Sequence, residues 1–263
     1  MPELEDPVEE SSQNIFLHRT FLLHKPLGVV SSRVDSKVTS KITRKSNPLV
    51  GQEIGGIPRK TVYDLAVENG FPDDCGLVGR LDVETSGIIL FTDDSTLLTS
   101  ICHPAPMGSK LAESAFKQKE YLIDLLCLEK IHSADEFDIP QLEKEFIEPF
   151  TFSRQGKDYS TNSCAQAFVT KIWQDSVHGY GQPLLGWIIQ MKVVLNEGKH
   201  HQIRRMAHRQ HYRVLKLVRT KIAHVLSIDS VPLPGQCRWL NTSELLQLYE
   251  GLEMNGPPRK PLP

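Results

Sequence analysis

The apolar positions along the chain change period several times, and each period predicts an element. Trp187, Ile189, Met191, Val193 and Leu195 occupy every second position, which predicts a strand with one buried face. Ile88 to Phe91 is apolar without a break and predicts a strand buried on both sides. Phe21, Leu22 and Leu23, followed by LysProLeuGlyValVal, predict a strand, a tight turn and a short strand. Residues 119–126, 214–218 and 222–226 are further strand candidates. Helical spacing places Val62, Leu65 and Ala66 behind a Thr61 cap. Residues 95–102 predict a second helix, stopped by His103 and Pro104. Others are expected near 141–147, over 201–210 with Ile203, Met206 and Ala207 on one side, and over 243–249. Strands and helices are interspersed without a regular βαβ order and without an internal repeat. The predicted class is α+β, with a mixed, mainly antiparallel central sheet flanked by helices.

Composition leaves this picture intact and bounds it. With 263 residues, 40% hydrophobic and 24% charged, the chain is of ordinary globular make-up and long enough to bury a real core. No apolar run approaches the length of a membrane span. Residues 1–18 read as an acidic, disordered tail, unlike a signal or transit peptide, so a cytoplasmic site is expected ahead of a nuclear one, and an organelle is disfavoured. Residues 19–250 are expected to form one two-lobed domain with an insertion near 128–186, and residues 251–263 a tail. The five cysteines are scattered, without a CxxC pair, which argues for reduced thiols rather than a disulfide framework or structural zinc.

Charge adds more than its total suggests. The net charge is −2, yet residues 192–221 hold nine Lys or Arg against Glu197 alone, for +8. Residues 19–60 hold nine basic residues against Asp35 and Glu53, and residues 124–148 hold eight acids against two lysines. Such segregation concentrates field on particular surfaces and suits a polyanionic partner; a merely solvated charged face is the plain alternative. The polar, basic stretch 36–60 reads as a long exposed loop.

Three clusters could carry chemistry. Gly79 to Gly87 (GRLDVETSG) sets an Arg, two carboxylates and two hydroxyls between two glycines at the rim of a buried strand. Polar groups there must be paired or face a ligand; the plain reading is a turn in which Arg80 and Asp82 pair. Glu197 to Met206 (EGKHHQIRRM) opens a helix whose N-terminus adds partial positive charge beside Lys199, His201, Gln202, Arg204, Arg205 and Arg209. Together they can hold phosphates and read the edge of an extruded base. A metal site built from His200, His201, His208 and His211 is weaker, since the arginines would repel a cation and no carboxylate is offered. Tyr121 opens a strand, where packing is the usual role.

In this order the motifs resemble the RsuA-type pseudouridine synthases, which modify uridines in ribosomal RNA. The resemblance runs from LeuHisLysProLeuGlyValValSer (23–31) through ThrValTyrAspLeu (61–65), GRLDVETSGIILFTDD (79–94) and HisPro (103–104). It continues with LysGluTyrLeuIle (119–123), GKHHQIRRM (198–206), ValLeuLysLeuValArgThrLysIle (214–222) and ProGlyGlnCysArgTrpLeu (234–240). It implies that family's catalytic fold, with a cleft across the sheet. It implies Asp82 as the nucleophile, Arg204 bridging to it, Tyr121 stacking on a flipped-out uracil and Leu217 backing the tyrosine ring. RNA contacts are then expected from Arg80, Lys199, His201, Gln202, Arg205, Arg209 and Arg219. The implied partner is RNA, ribosomal RNA first and transfer RNA second, with no membrane, no metal or other cofactor, and a monomeric chain. The family's small N-terminal S4-type domain has no counterpart in this sequence, Ala223 stands where relatives carry Gly, and 33–60, 105–118 and 128–186 match poorly. A non-catalytic RNA-binding or ribosome-assembly factor that kept the fold is the alternative reading. A glycosidase pairing Asp82 with Glu84 ranks last, because it leaves the Arg-rich helix unused.

Overall fold

The structure, a computed structural model, describes residues 15–16, 18–33, 59–103, 114–154, 157–161, 164, 166–179, 182–256 and 259–260. In chain order its strands and helices are β1 (Ile15–Phe16), β2 (Thr20–Lys25), α1 (Val62–Glu68), β3 (Gly76–Val78), β4 (Ser86–Thr92) and α2 (Ser95–Cys102). Then come β5 (Lys119–Cys127), α3 (Ile139–Ile147), β6 (Thr151–Arg154), β7 (Lys157–Ser160), β8 (Gln166–Gly179) and β9 (Gln182–Leu195). The chain closes with α4 (Gln202–Arg209), β10 (Tyr212–Ile222), β11 (Leu226–Ser227), β12 (Cys237–Trp239), α5 (Thr242–Gly251) and β13 (Arg259–Lys260).

Among the described residues one nine-stranded sheet runs β12-β2-β4-β10-β5-β9-β8, with β3 also on β4 and β11 also on β10. Only the β4–β10 contact is parallel, so the sheet is mixed and mainly antiparallel, as the sequence pattern predicts. Alternate residues of β2 and β4 feed two cores. Phe21, Leu23, Ile89 and Phe91 join Ile123, Met191, Ile203 and Met206 on one face. Leu22, Ile88 and Leu90 meet Leu97 and Ile101 of α2 and Leu245 and Leu248 of α5 on the other. Burial on both faces is what the unbroken apolar run at 88–91 requires.

The helix ends are set by local chemistry. Thr61 caps α1 in a reciprocal box with Asp64, and Asn241 caps α5 with Glu244. Asp94 caps α2 by accepting from the backbone N–H groups of Thr96 and Leu97.

One strand expectation needs correction. Residues 222–226 are not a strand: β10 runs unbroken to Ile222, and a turn with Ala223 and His224 at φ +53° and +55° leads into the short β11. The backbone at Ala223 is left-handed, where a glycine carries no steric penalty and alanine does. Two segments taken as tails pair with each other, β1 with β13. The stretch expected as an insertion supplies β8, which pairs along β9 and so belongs to the sheet's edge. The basic loop predicted at 36–60 lies outside the described residues apart from Arg59 and Lys60, as do residues 1–14 of the acidic tail.

Candidate active site

The loop from Gly79 to Thr85 joins β3 to β4 and is fastened to the sheet by its backbone. Ser31 Oγ donates to the Leu81 carbonyl at 2.7 Å and accepts from the Leu81 N–H at 3.2 Å. Gly28 N–H donates to the Val83 carbonyl at 2.9 Å, and Thr85 N–H to the Asp82 carbonyl at 3.0 Å, closing a tight turn. Underneath, the fully buried Lys25 donates from Nζ to the carbonyls of Thr85 (2.7 Å) and Pro26 (2.9 Å). Gly87 makes the exit possible. Its φ is +111°, and a Cβ there would collide with the backbone of Arg219 on the parallel neighbour β10.

These anchors leave the Asp82 side chain 35% exposed at the wall of a cavity of about 720 Å³. Tyr121 and Leu217 line the same cavity and are themselves buried. Tyr121 pairs with Arg219 and Ile123 with Leu217 across β5 and β10, which puts the ring and the leucine on one face as diagonal neighbours. The N-terminal end of α4 lines the cavity too, with Lys199, His201, Gln202 and Arg204. Helix α4 buries Ile203, Met206 and Ala207, the stripe its spacing predicts, and directs its positive end at the cavity.

The structure thus brings Asp82, Tyr121, Arg204 and Leu217 to one cavity, joined by Arg80, Lys199, His201 and Gln202. It changes their pairings. Arg204 does not bridge to Asp82: it donates to the Glu84 carbonyl at 2.7 Å and lies 3.7 Å from the Glu84 carboxylate, while its Nε is buried with no partner among the described residues. His201 takes the place at Asp82, Nε2 to Oδ1 at 3.4 Å, an ion pair when the imidazole carries both protons. Its backbone has φ +53°, a strained state for a residue with a Cβ and one that clusters at functional sites.

Two expected RNA contacts, Arg219 and Gln202, are committed elsewhere. Arg219 is 1% exposed and donates from Nε to the Ile88 carbonyl at 2.8 Å, so it braces β4 and cannot reach a phosphate. The Gln202 amide is held at both ends, accepting from Lys199 N–H and donating to Glu197, each at 3.0 Å. Lys199 pairs with Glu197 at 3.1 Å and donates to the Ser160 carbonyl. The pairing of Arg80 with Asp82 expected of a plain turn is replaced by His201. Sequence reasoning missed Lys25, which ends β2 two residues after the apolar run Phe21–Leu23.

Burial pushes the Lys25 ammonium down to about 8, opposed by the nearby Asp82 carboxylate and aided by the Arg219 cation.

The family model for RNA pseudouridylate synthase matches residues 19–209. The chain belongs to this family. That match contains Asp82, Tyr121, His201 and Arg204, and stops before Leu217. The dual-specificity RNA pseudouridine synthase RluF of Escherichia coli strain K12 is 27% identical over 241 residues, 91% of this chain and 60% of that protein. The ribosomal small subunit pseudouridine synthase A of Pseudomonas aeruginosa is 24% identical over 227 residues, covering 86% and 73%. These relatives bear out the RsuA-type resemblance; the chain spans 60% of the length of the RluF proteins it matches. A crystal structure of a pseudouridylate synthase superposes with a TM-score of 0.53 at 21% identity, over 89% of this chain and 75% of that one, and shows the same fold. Among the described residues no helix is long and apolar enough to cross a membrane.

Proposed function

We propose that the chain isomerises a uridine to pseudouridine in structured RNA, ribosomal RNA before transfer RNA, with Asp82 as nucleophile. The observation that carries this reading is the partly exposed Asp82 carboxylate at the wall of a cavity that Tyr121, Leu217 and the cationic end of α4 also line.

The reaction breaks the N1–C1′ bond, turns the uracil and forms a C5–C1′ bond, releasing the hydrogen on C5. A carboxylate suits it, because it can add covalently and then leave, dividing one hard step into two. Bases paired in an RNA helix are out of reach of such a cavity, so the target is extruded and its ring rests against Tyr121. His201 faces the nucleophile, and Arg204 acts through the Glu84 carbonyl, holding the loop two residues from Asp82.

The test is release of tritium from ribosomal RNA transcripts carrying 5-tritiated uridine, with pseudouridine identified in the digested product. Release is expected from the purified chain; none from any transcript leaves the non-catalytic RNA-binding factor as the reading. Arg204→Ala removes a charge-assisted hydrogen bond to the loop and is expected to lower kcat about tenfold, with RNA affinity held within about twofold. Single-turnover rates beside binding titrations decide it, and a loss confined to affinity contradicts the positioning role.

A further inference from the structure

Beside the Asp82 cavity, and sharing His201 and Arg204 with it, lies a second hollow of about 450 Å³ between α4 and the β6–β7 hairpin. Its hairpin wall is aromatic. Phe152 lies stacked beside its cross-strand partner Tyr159, with centroids 5.6 Å apart and planes at 20°, and Phe150 is tilted against Phe152 at 5.8 Å. Its helix wall is cationic. The Arg205 guanidinium sits over the Phe152 ring, 4.0 Å from the centroid, and that of Arg209 is 5.9 Å from Phe150. Neither arginine makes an ion pair among the described residues, and no carboxylate lines the hollow.

The hairpin is held in place for this. Phe150 and Thr161 exchange hydrogen bonds at its foot, N–H to Oγ1 and N–H to carbonyl, both 2.9 Å. Lys199, at the entrance to α4, donates to the Ser160 carbonyl.

A guanidinium held over a ring keeps N–H groups for an anion and offers a plane for stacking. The matching occupant has a π-face and a negative group a few ångströms away, and reaches the neighbouring cavity through a flexible link. An apolar peptide segment would strand two arginine charges, and an acidic one would leave the rings unused. A nucleotide meets all three requirements.

We propose that the β6–β7 hairpin and α4 form a second nucleotide seat, in which a nucleotide flanking the target uridine stacks on the Phe152–Arg205 pair and sets its phosphate on Arg205 and Arg209. The proposal rests on the RNA-modifying reading of the adjoining cavity.

The test uses the full chain and an RNA hairpin with an all-uridine loop carrying one 2-aminopurine. Wild type is expected to bind saturably and quench the probe. Phe152→Ala weakens binding about tenfold and loses the quench, whereas Phe152→Trp keeps both. Arg205→Lys preserves charge but not the plane; it loses the quench and carries the test alone if Phe152→Ala melts early. No saturable binding by wild type, or wild-type affinity and quench in Phe152→Ala and Arg205→Lys, overturns the seat. Tritium release separates the two claims. Quenching that depends on Phe152 without release from any ribosomal transcript sinks the isomerase and leaves the seat; release with no dependence on Phe152 or Arg205 does the reverse.

Discussion

Asp82→Asn is expected to lower tritium release from 5-tritiated uridine RNA by at least about a thousandfold, while RNA affinity and thermal midpoint stay near wild type. The separation follows from how the loop is built. The hydrogen bonds that fasten the loop use its backbone atoms: the Leu81 and Val83 carbonyls, the turn from Thr85 N–H to the Asp82 carbonyl, the Glu84 carbonyl on Arg204 and the Thr85 carbonyl on Lys25. Among the described residues the Asp82 carboxylate has one ion-pair partner, His201 at 3.4 Å, and its side chain is about a third exposed. Asparagine keeps the shape and gives up only the anion, so its cost in stability is that of a surface substitution, within about 0.5 kcal/mol. An amide cannot attack the ribose or the base and then depart. Release from Asp82→Asn at the wild-type rate would remove the nucleophile from the scheme, and equal losses in affinity and rate would recast the residue as a binding group.

Strands β2, β4, β5, β9 and much of β10 were legible because they obey period two or carry an apolar run, whereas β3 and β12 are too short and β8 too polar to stand out; each helix carries its cap or its stripe. Val62, Leu65 and Ala66 lie buried behind Thr61, and Ile203, Met206 and Ala207 do so on α4. Tyr121 and Asp82 were legible as motif residues, although spacing alone favoured a plain turn and a packed ring. What sequence pattern could not supply was partner choice. Arg204 and His201 are three residues apart on one helix entrance, and which of them meets Asp82 depends on the left-handed backbone at His201. Arg219 misled for another reason. A basic residue in a basic stretch reads as exposed, but glycine at position 87 lets β10 come close to β4, and the guanidinium turns inward to the Ile88 carbonyl. The turn at 223–225 was hidden because Ile222, Ala223, Val225 and Leu226 are apolar enough to pass for a strand, while the positive φ falls on an alanine where glycine would have marked it.

Lys25→Met is expected to cut turnover about a hundredfold, since it frees the loop that aims Asp82 and a misplacement of about 1 Å is enough for such a loss. The Thr85 and Pro26 carbonyls lose their donor, which costs about 1–3 kcal/mol for each buried acceptor left unpaired. A pH signature separates this role from bulk destabilisation. The folded Lys25 value of about 8 lies below 10.5, the value expected in the unfolded chain. Its protonation therefore costs stability fully below about pH 8, and that cost is relieved as pH rises from 8 to 10.5, where the unfolded chain binds more protons. Turnover moves the other way. Above about pH 8 the cation beneath the loop and beside Asp82 is lost, so the wild-type rate is expected to fall across the window in which Lys25 gains stability. Lys119 is also pushed to about 8 by burial, but its ammonium donates to the Ile101 and Lys117 carbonyls, away from the loop. Single-turnover rates across pH 7 to 10 decide between them: the descending limb should vanish in Lys25→Met and persist in Lys119→Met. A limb that survives in Lys25→Met assigns the titration to another group and leaves Lys25 a structural prop only.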